Sequence, residues 1–413
     1  MTSGPLFDLV IRNVRIEENG PLVDIAVREG RIADIGSGMW CEAIESVDGE
    51  GAFAFGGFVD THIHLDKTCI LDRCTICEGT LAEAVRETAK AKASFEEDDV
   101  YARAARVVEK AISHGTTRMR TFVEIDPRAG FRSFEAIKRI REDYAFAVDI
   151  EICAFAQEGL TNEPETLDML DAALSNGADL VGGCPYTDPD PNRHIEMIFA
   201  LALKHNMPVD FHLDFSLDPD RTDLPAVIDA TLRHRWQGRV AIGHVTNLSA
   251  MSQAEIVSIA DRLAEADIAL SVLPSTDLFL NGRSHDRLVP RGVAPAHLLA
   301  GRGVVTSIAT NNVLNPFTPY GDASLIRMAN LYANVAQLSR DEDMALVFSM
   351  VTDAAARQLG SVRRLEVGTE ATIVLLDSPG PHVAVRQIAR VVAGWKNGHR
   401  SFDNGEPRIH RPR

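Results

Sequence analysis

Two histidines spaced two positions apart are the strongest chemical signal in this sequence. His62 and His64 lie in the segment Gly57-Phe-Val-Asp-Thr-His-Ile-His-Leu-Asp-Lys67. Because alternate side chains of a β-strand point to the same side, both imidazoles would face one direction. Two converging imidazoles are a ready pair of metal ligands. An isolated pair of this kind is more often structural, so the interpretation depends on further histidines at matching places.

Two further histidines follow short apolar segments of the chain. His212 lies in Val209-Asp-Phe-His-Leu-Asp214, and His244 lies in Ile242-Gly-His-Val245. Enzymes built on parallel barrels place their chemistry at the carboxyl ends of the strands. A divalent ion held there would lower the pKa of a bound water toward neutrality. The remaining histidines on predicted helices or loops are interpreted as surface or packing residues, among them His194, His205, His234 and His297.

Eight short apolar segments, separated by longer amphipathic ones, would position these histidines. The candidate strands are residues 58–59, 119–123, 147–155, 179–181, 209–213, 240–245, 268–273 and 304–309. The predicted helices are residues 81–93, 100–112, 165–174, 194–204, 224–234, 254–264, 322–338 and 342–359. Alternating strands and helices favour a parallel sheet, and eight strands can close an α/β barrel. A doubly wound open sheet fits a similar pattern, so the count alone leaves both open.

Both ends of the chain are predicted to be rich in β-structure. Near the N-terminus, residues 7–16, 23–27 and 31–35 have strand-like patterns, with a hairpin turn at 28–31. Near the C-terminus, residues 371–376 and 383–392 are predicted strands. We expect these segments to form one small β domain from residues 1–57 and 360–413, around a barrel at 58–359.

Composition and charge exclude several classes of function. The chain has 413 residues, of which 45% are hydrophobic and 24% charged, as is ordinary for a globular protein. The net charge of −17 argues against nucleic acid or an anionic membrane as a partner. No apolar segment reaches the ~18 residues of a membrane span. The N-terminus lacks the pattern of a signal peptide, so a cytoplasmic location is predicted.

The six cysteines show no disulfide framework in a chain of this size. Cys74 and Cys77 form a Cys-x-x-Cys pair, which could bind a metal or act in redox chemistry. No second pair of cysteines or histidines follows at zinc spacing. The pair is therefore interpreted as two reduced thiols near the start of a helix.

The histidine pattern, the β-rich ends and three shorter motifs resemble the amidohydrolase superfamily of metal-dependent hydrolases. Within it, the chain is similar to the cytosine deaminase branch and its relative N-isopropylammelide isopropylaminohydrolase. The segment His62-Ile-His-Leu-Asp66 matches the first motif of cytosine deaminase. Ala154-Phe-Ala-Gln-Glu-Gly159 resembles its ring-binding segment, and Asn315-Pro-Phe-Thr-Pro-Tyr-Gly321 resembles the loop with an aromatic residue over the substrate. The resemblance implies a (β/α)8 TIM barrel with a small β-sandwich domain formed by both chain ends.

The resemblance implies a single divalent metal ion, zinc or iron, with manganese as a further option. The ligands would be His62, His64, His212 and Asn311. His244 would sit by the bound water or polarise the substrate. Binuclear relatives need a bridging lysine on the fourth strand, and residues 178–185 contain none, so a binuclear site is not expected.

The resemblance also implies a small heterocyclic substrate, such as a pyrimidine, a triazine or another cyclic amide or amidine. The predicted reaction is hydrolysis of a C–N bond, in which His244 steadies the developing oxyanion. Lys67 resembles a lysine of the isopropylammelide enzyme and would deliver a proton to the leaving nitrogen. The predicted substrate-binding residues are Gln157, Phe317, Phe279 and Asn312, with Arg283 at the rim; Asp277 and Asn281 are interpreted as loop caps.

Two positions depart from the cytosine deaminase pattern. Phe215 occupies the place of a glutamate that protonates a ring nitrogen, and the isopropylammelide relative also lacks that glutamate. Asn311 occupies the place of an aspartate that binds the metal and accepts a proton from the water. An amide oxygen can bind a cation, but it cannot take a proton near pH 7.

Three explanations of Asn311 are open at this stage. Another group could act as the base, with His244, Asp66 and Asp214 as candidates. The carboxylate could have been replaced to trap a complex. Alternatively, the chain could bind a heterocycle without efficient turnover. Asn312 needs no special account, because asparagine is favoured in a turn after a strand. Assembly into a homo-oligomer is also left open.

Overall fold

The computed structural model describes residues 6–405, and the chain ends on either side lie outside that range. Five strands come first: β1 (Phe7–Val14), β2 (Val23–Arg28), β3 (Arg31–Gly36), β4 (Ala43–Asp48) and β5 (Phe53–Phe55). The barrel follows: β6 (Phe58–Ile63), β7 (Thr116–Glu124), β8 (Asp149–Ala156), β9 (Leu180–Gly183), β10 (Val209–Leu213), β11 (Val240–His244), β12 (Ile268–Val272) and β13 (Thr306–Ile308). The last strands are β14 (Ile373–Leu376), β15 (Val391–Lys396) and β16 (His399–Asp403).

Helices cross between the barrel strands and cover their outer faces. They are α1 (Leu81–Lys92), α2 (Glu97–Ser113), α3 (Arg132–Asp143), α4 (Glu165–Ser175), α5 (Pro191–His205), α6 (Leu224–His234), α7 (Gln253–Glu265), α8 (Pro274–Leu280), α9 (Ala296–Ala300), α10 (Leu325–Ala336), α11 (Asp341–Ser349), α12 (Asp353–Gln358) and α13 (Pro381–Gln387). Short 3₁₀ helices lie at Leu71–Arg73, Pro185–Thr187 and Thr246–Ala250.

Strands β6 to β13 form one parallel sheet in chain order, and the first and last strands meet. The closing contact is a parallel bridge between Ile63 and Asn311. The Asn311 amide donates to the His62 carbonyl at 2.8 Å, and the His64 amide donates to the Asn311 carbonyl at 2.8 Å. Inside the barrel the hydroxyls of Thr61 and Ser307 lie 2.7 Å apart. The predicted barrel is confirmed, and the open sheet is excluded.

The two chain ends form two four-stranded sheets that share a core. One sheet has the order β3-β2-β1-β4 and the other β16-β15-β14-β5. Their apolar faces meet around buried residues from both ends of the chain, among them Ile11, Ile373 and Trp395. Lys396 ties this sandwich to the barrel, since its ammonium donates to Asp149 Oδ1 at 2.6 Å. The predicted sandwich is thus confirmed; the boundaries 1–57 and 360–413 stay a prediction, and their outermost residues lie outside the described range.

The predicted strand at residues 383–392 is wrong in its first half. That half belongs to α13, and β15 begins only at Val391. Pro381 stands in the first turn of α13, where its missing N–H is no loss, and Ile388 ends the helix in a left-handed conformation with φ 51°. The alternating valines suggested a strand, whereas the helix buries Ala384 and Val385.

Three smaller outcomes complete the comparison with the sequence. The predicted helix at 342–359 is two helices, α11 and α12, and α3 was not predicted. All six cysteines are free, as expected. Within residues 6–405, the helices are too short or too polar to cross a membrane.

Trp395 anchors the core of the sandwich and is fully buried. We expect Trp395→Ala to lower the free energy of unfolding by about 3–5 kcal/mol, because it removes a large buried ring and leaves a cavity. Urea unfolding followed by circular dichroism measures this change. Trp40→Ala is the matched control, since Trp40 is fully exposed. A similar loss in both variants would contradict the assignment of Trp395 to the shared core.

Candidate functional site

Three imidazoles converge at the carboxyl ends of β6 and β10. His62 and His64 come from β6 and the residue after it, and His212 comes from β10. The Nε2 atom of His212 lies 2.9 Å from the Nε2 atoms of both His62 and His64. Phe122 packs on His62 with ring centroids 4.1 Å apart, and Phe155 packs on His212 at 4.2 Å. Strands β6 and β10 therefore hold three imidazole nitrogen atoms within a few ångströms of one another, as the spacing of the histidines predicts.

The environment of these imidazoles suits metal binding. Burial, together with nearby imidazoles and the Lys67 ammonium, lowers the pKa of His62, His64 and His212 well below its usual range. Neutral imidazoles offer lone pairs, and three nitrogen ligands with an open position are a common arrangement for catalytic zinc. The three histidines form a group whose ligand atoms are close enough to hold one ion.

Asn311 completes this cluster and fits the same metal. Its backbone lies between His62 and His64 in the closing ladder and has φ 63°, a left-handed conformation that asparagine tolerates well. Its side chain is fully buried, yet neither Oδ1 nor Nδ2 has a hydrogen-bond partner among the described residues. A buried amide without a partner is costly, so a cation bound by Oδ1 would remove part of that cost.

His244 lies beside the three histidines, with its ring centroid 5.3 Å from that of His212, and is held by Asp277. The Nδ1 atom of His244 lies 2.7 Å from Asp277 Oδ1, inside the barrel. Burial raises the pKa of the Asp277 carboxyl, although the contact with His244 opposes that rise. The His244 backbone also has a left-handed φ of 70°, a conformation that is uncommon outside glycine and often marks functional positions. Asp277 thus orients the imidazole, a role that loop capping does not describe.

Lys67 is a buried residue with three contacts. Its ammonium donates to Glu124 Oε1 at 2.6 Å and to Gln157 Oε1 at 3.2 Å, and it lies 4.5 Å from the centroid of the Phe317 ring. Only 2% of its surface is exposed. Burial alone would raise the pKa of the Glu124 carboxyl, but the ammonium groups of Lys67 and Lys92 outweigh it and lower the pKa.

A second group of converging acids lies behind Lys67, and a lysine already occupies its centre. Glu124, Asp126 and Glu158 have oxygens close enough together to hold a cation. The ammonium of Lys92, at the end of α1, lies 2.7 Å from Glu124 Oε2 and 2.6 Å from Glu158 Oε1, and it also pairs with Asp126. Lys92 supplies the positive charge that these buried carboxylates require.

A tight pocket of about 10 Å³, with room for about one water molecule, opens above these groups. Eight predicted site residues line it, and seven of them are polar: His64, Lys67, Gln157, His212, His244, Asn311 and Asn312. Phe317 also lines it, with five further residues, namely Leu81, Tyr186, Phe215, Thr276 and Leu280. His62 lies just beneath, against His212. The structure therefore gathers the three histidines, His244 and Lys67 at one cavity.

Some predicted residues lie outside this pocket. Phe279 is half-buried and packs against Tyr320, with ring centroids 5.7 Å apart, while Arg283 stacks on Phe279. Two candidate bases are engaged elsewhere. Asp66 accepts hydrogen bonds from the backbone amides of Lys67 and Glu124, and Asp214 accepts one from the amide of Asp223. Of the three candidate bases, only His244 lines the cavity.

The sequence analysis missed two residues around the site, Glu124 and Lys92. It also missed that Asp277 is the partner of His244. Glu124 is the last residue of β7, so the rule that singled out the histidines could have found it. Lys92 ends an amphipathic helix and looks like any solvated lysine. Its burial follows from the acids on neighbouring strands, which no local pattern reveals.

Residues 53–401 match the family model described as the amidohydrolase family. The chain belongs to the amidohydrolase family. It is 28% identical to a pterin deaminase of Rhizobium rhizogenes, over 78% of this chain and 74% of that protein. Its fold matches a solved structure of N-isopropylammelide isopropylaminohydrolase from Burkholderia multivorans with a TM-score of 0.84 and 27% identity, covering 96% of this chain and 98% of that one.

A solved structure of 5-methylcytosine deaminase from Klebsiella pneumoniae, liganded with 5-fluorocytosine, has a TM-score of 0.92. It is 24% identical and covers 98% of this amidohydrolase and 99% of its own chain, which establishes the shared fold. The predicted superfamily and branch are confirmed. This amidohydrolase is a hydrolase of carbon–nitrogen bonds other than peptide bonds, and the alternative of a protein that only binds its ligand is not favoured.

The Asn311 side chain has no hydrogen-bond partner among the described residues, and this predicts how an aspartate would behave at that position. We expect Asn311→Asp to destabilise the metal-free protein by about 1–3 kcal/mol, because it buries an acid without a partner. Added zinc should restore most of the lost stability. Thermal unfolding of the variant with and without zinc measures this recovery. Asn312→Asp is the matched control, because Asn312 Oδ1 accepts a bond from Asn315 at 2.7 Å and an acid keeps that acceptor. Equal losses, or no effect of zinc, would contradict the assignment.

The lowered pKa values predict an unusual pH dependence of zinc affinity. Three histidines of ordinary pKa would lose roughly 10³-fold in affinity between pH 7.5 and pH 5.5, because protons compete for the ligand atoms. Here the imidazoles stay unprotonated to lower pH, so we expect a loss below about tenfold. Competition against a chelator of known affinity at each pH measures this, with circular dichroism as the check that the fold persists. A loss near 10³-fold would contradict it.

Proposed function

We propose that this amidohydrolase removes an amino or alkylamino group from a small aminated heterocycle, or opens a cyclic amide, by metal-dependent hydrolysis. One observation carries the proposal: His64, His212, His244 and Lys67 line one cavity, and His62 lies beneath it against His212. The names of the similar proteins support it, since each refers to deamination or amine removal from a nitrogen heterocycle.

The proposed metal ligands are His62, His64, His212 and the Asn311 amide. A divalent ion bound there supplies a nucleophile at neutral pH by lowering the pKa of a water ligand. Nitrogen ligands suit zinc and iron, and manganese is a third option. None of these four ligands is a carboxylate. The ligands therefore carry no negative charge that would balance the charge of the ion.

We assign the proton-handling and orienting roles to groups that line the cavity. His244, held by Asp277 at 2.7 Å, is placed to accept a proton or steady negative charge on the substrate. Lys67 is placed to donate a proton to the leaving nitrogen from the opposite side. Gln157 and Asn312 can hydrogen-bond the ring edge, and Phe317 offers a face for stacking. Phe215 packs on His244 with ring centroids 4.9 Å apart and excludes water from it.

A cytoplasmic location, a homo-oligomeric state and a rim role for Phe279 complete the proposal as predictions. Phe279 belongs to an apolar cluster with Leu280 and Phe317 that covers the cavity. Movement of this cover would admit a ring. The net charge of −17 supports a small molecule rather than nucleic acid as the partner.

The test is turnover by the zinc-loaded, full-length protein on aminated pyrimidines, triazines, pterins and cyclic amides, followed by release of ammonia or amine. We expect at least one substrate, and we expect His244→Gln to lower kcat by about 10²–10⁴-fold while zinc content stays unchanged. His399→Gln is the control, because His399 is exposed on β16. No turnover across the panel, or full activity in His244→Gln, would overturn the proposal.

A further inference from the structure

The charges that line the cavity have one sign. Among the cavity residues within the described part of the chain, none is an aspartate or a glutamate. Apart from its histidines, the cavity's one side chain that is charged at neutral pH is Lys67. Burial raises the pKa of the Tyr186 phenol, which keeps that side chain neutral. A divalent ion held by the three histidines would add charge of the same sign.

Lys67 shares its acidic partner with a second buried lysine. Glu124 Oε1 accepts from Lys67 at 2.6 Å, but Glu124 Oε2 accepts from Lys92 at 2.7 Å. One carboxylate thus serves two ammonium groups. The other acids around Lys92, which are Asp126 and Glu158, pair with Lys92 and with Arg128. The acids that balance both ammonium groups lie outside the cavity lining, so the Lys67 ammonium is the charged group that a ligand in the cavity meets.

The neutral polar groups of the cavity point their donors inward. The Gln157 carbonyl oxygen accepts from Lys67 at 3.2 Å, and its amide nitrogen donates to Cys184 Sγ at 3.5 Å, which leaves one amide hydrogen for a ligand. The Asn312 carbonyl oxygen is occupied by Asn315 at 2.7 Å, which leaves its NH₂ group free of protein partners among the described residues. With the Lys67 ammonium, three donor groups line the cavity, together with the apolar side chains of Leu81, Phe215, Leu280 and Phe317.

We propose that the cavity selects an anionic, oxo-substituted heterocycle, such as the conjugate base of a cyclic imide carrying the amino group to be removed. Such a ring spreads its negative charge over ring oxygen and nitrogen atoms, which accept from Lys67, Gln157 and Asn312. The Lys67 ammonium can give such a ring a charge-assisted hydrogen bond, and a divalent ion on uncharged ligands would add attraction for an anion. A cationic amidine would meet repulsion and find few acceptors.

This inference rests on the proposed function for the location of the ring, and binding tests it without turnover. The probes are barbiturate, a cyclic imide that is an anion at pH 7, and uracil, a neutral ring of similar shape. Calorimetric titration of the full-length protein, both zinc-loaded and metal-free, measures each affinity. We expect barbiturate to bind at least about tenfold more tightly than uracil, as one charge-assisted hydrogen bond would give.

Two variants and one control assign that preference to Lys67. Lys67→Met should bring the ratio of affinities close to one. Gln157→Glu keeps the shape and pairs with Lys67, so it should abolish or reverse the preference even if Lys67→Met folds poorly. Lys90→Met should leave the ratio unchanged, since Lys90 is exposed and pairs with Glu87. Equal binding of both rings by the native protein would overturn the charge selection but leave the proposed function standing. The same holds if the ratio of the two affinities is unchanged in both variants. Failure to bind either ring overturns this inference and the location of the ring together.

Discussion

Two backbone hydrogen bonds close the barrel, and the site depends on them. The Asn311 amide and carbonyl bond His62 and His64 at 2.8 Å each, so the first strand is held in one register against the residue that follows the last. A slip by one residue would turn both imidazoles away from His212, because side chains alternate along a strand. The same ladder places the Asn311 side chain beside the histidines. The strand register that closes the barrel therefore also brings the proposed metal ligands together.

Charge is distributed in layers around that point of closure. The imidazoles are neutral and buried, Lys67 stands at the edge of the cavity, and the acids lie behind it with Lys92 among them. Placing the carboxylates in this outer layer keeps their charge away from the cavity while their ion pairs satisfy the buried ammonium groups. The layer explains how two lysines can be almost fully buried in a protein whose net charge is −17.

Local pattern predicted most of the fold and part of the site. The eight barrel strands and the histidines at their ends follow from apolar runs and the period of two, which are properties of short segments. The residues that contact those histidines and strands cannot be predicted from such local patterns. Glu124, Lys92 and Asp277 gain their roles from contacts between distant elements, and a buried lysine has no local signature. The first half of the predicted strand at 383–392 is helical instead, and Gly380 and Pro381 mark the start of that helix.

The claim that three histidines hold a catalytic metal ion is tested most directly by anomalous diffraction from crystals of the zinc-loaded protein. Data on both sides of the zinc absorption edge locate the ion without any assumption about the substrate. The account predicts one strong peak bonded to the Nε2 atoms of His62, His64 and His212. A peak among Glu124, Asp126 and Glu158, or no peak at the histidines, would contradict it.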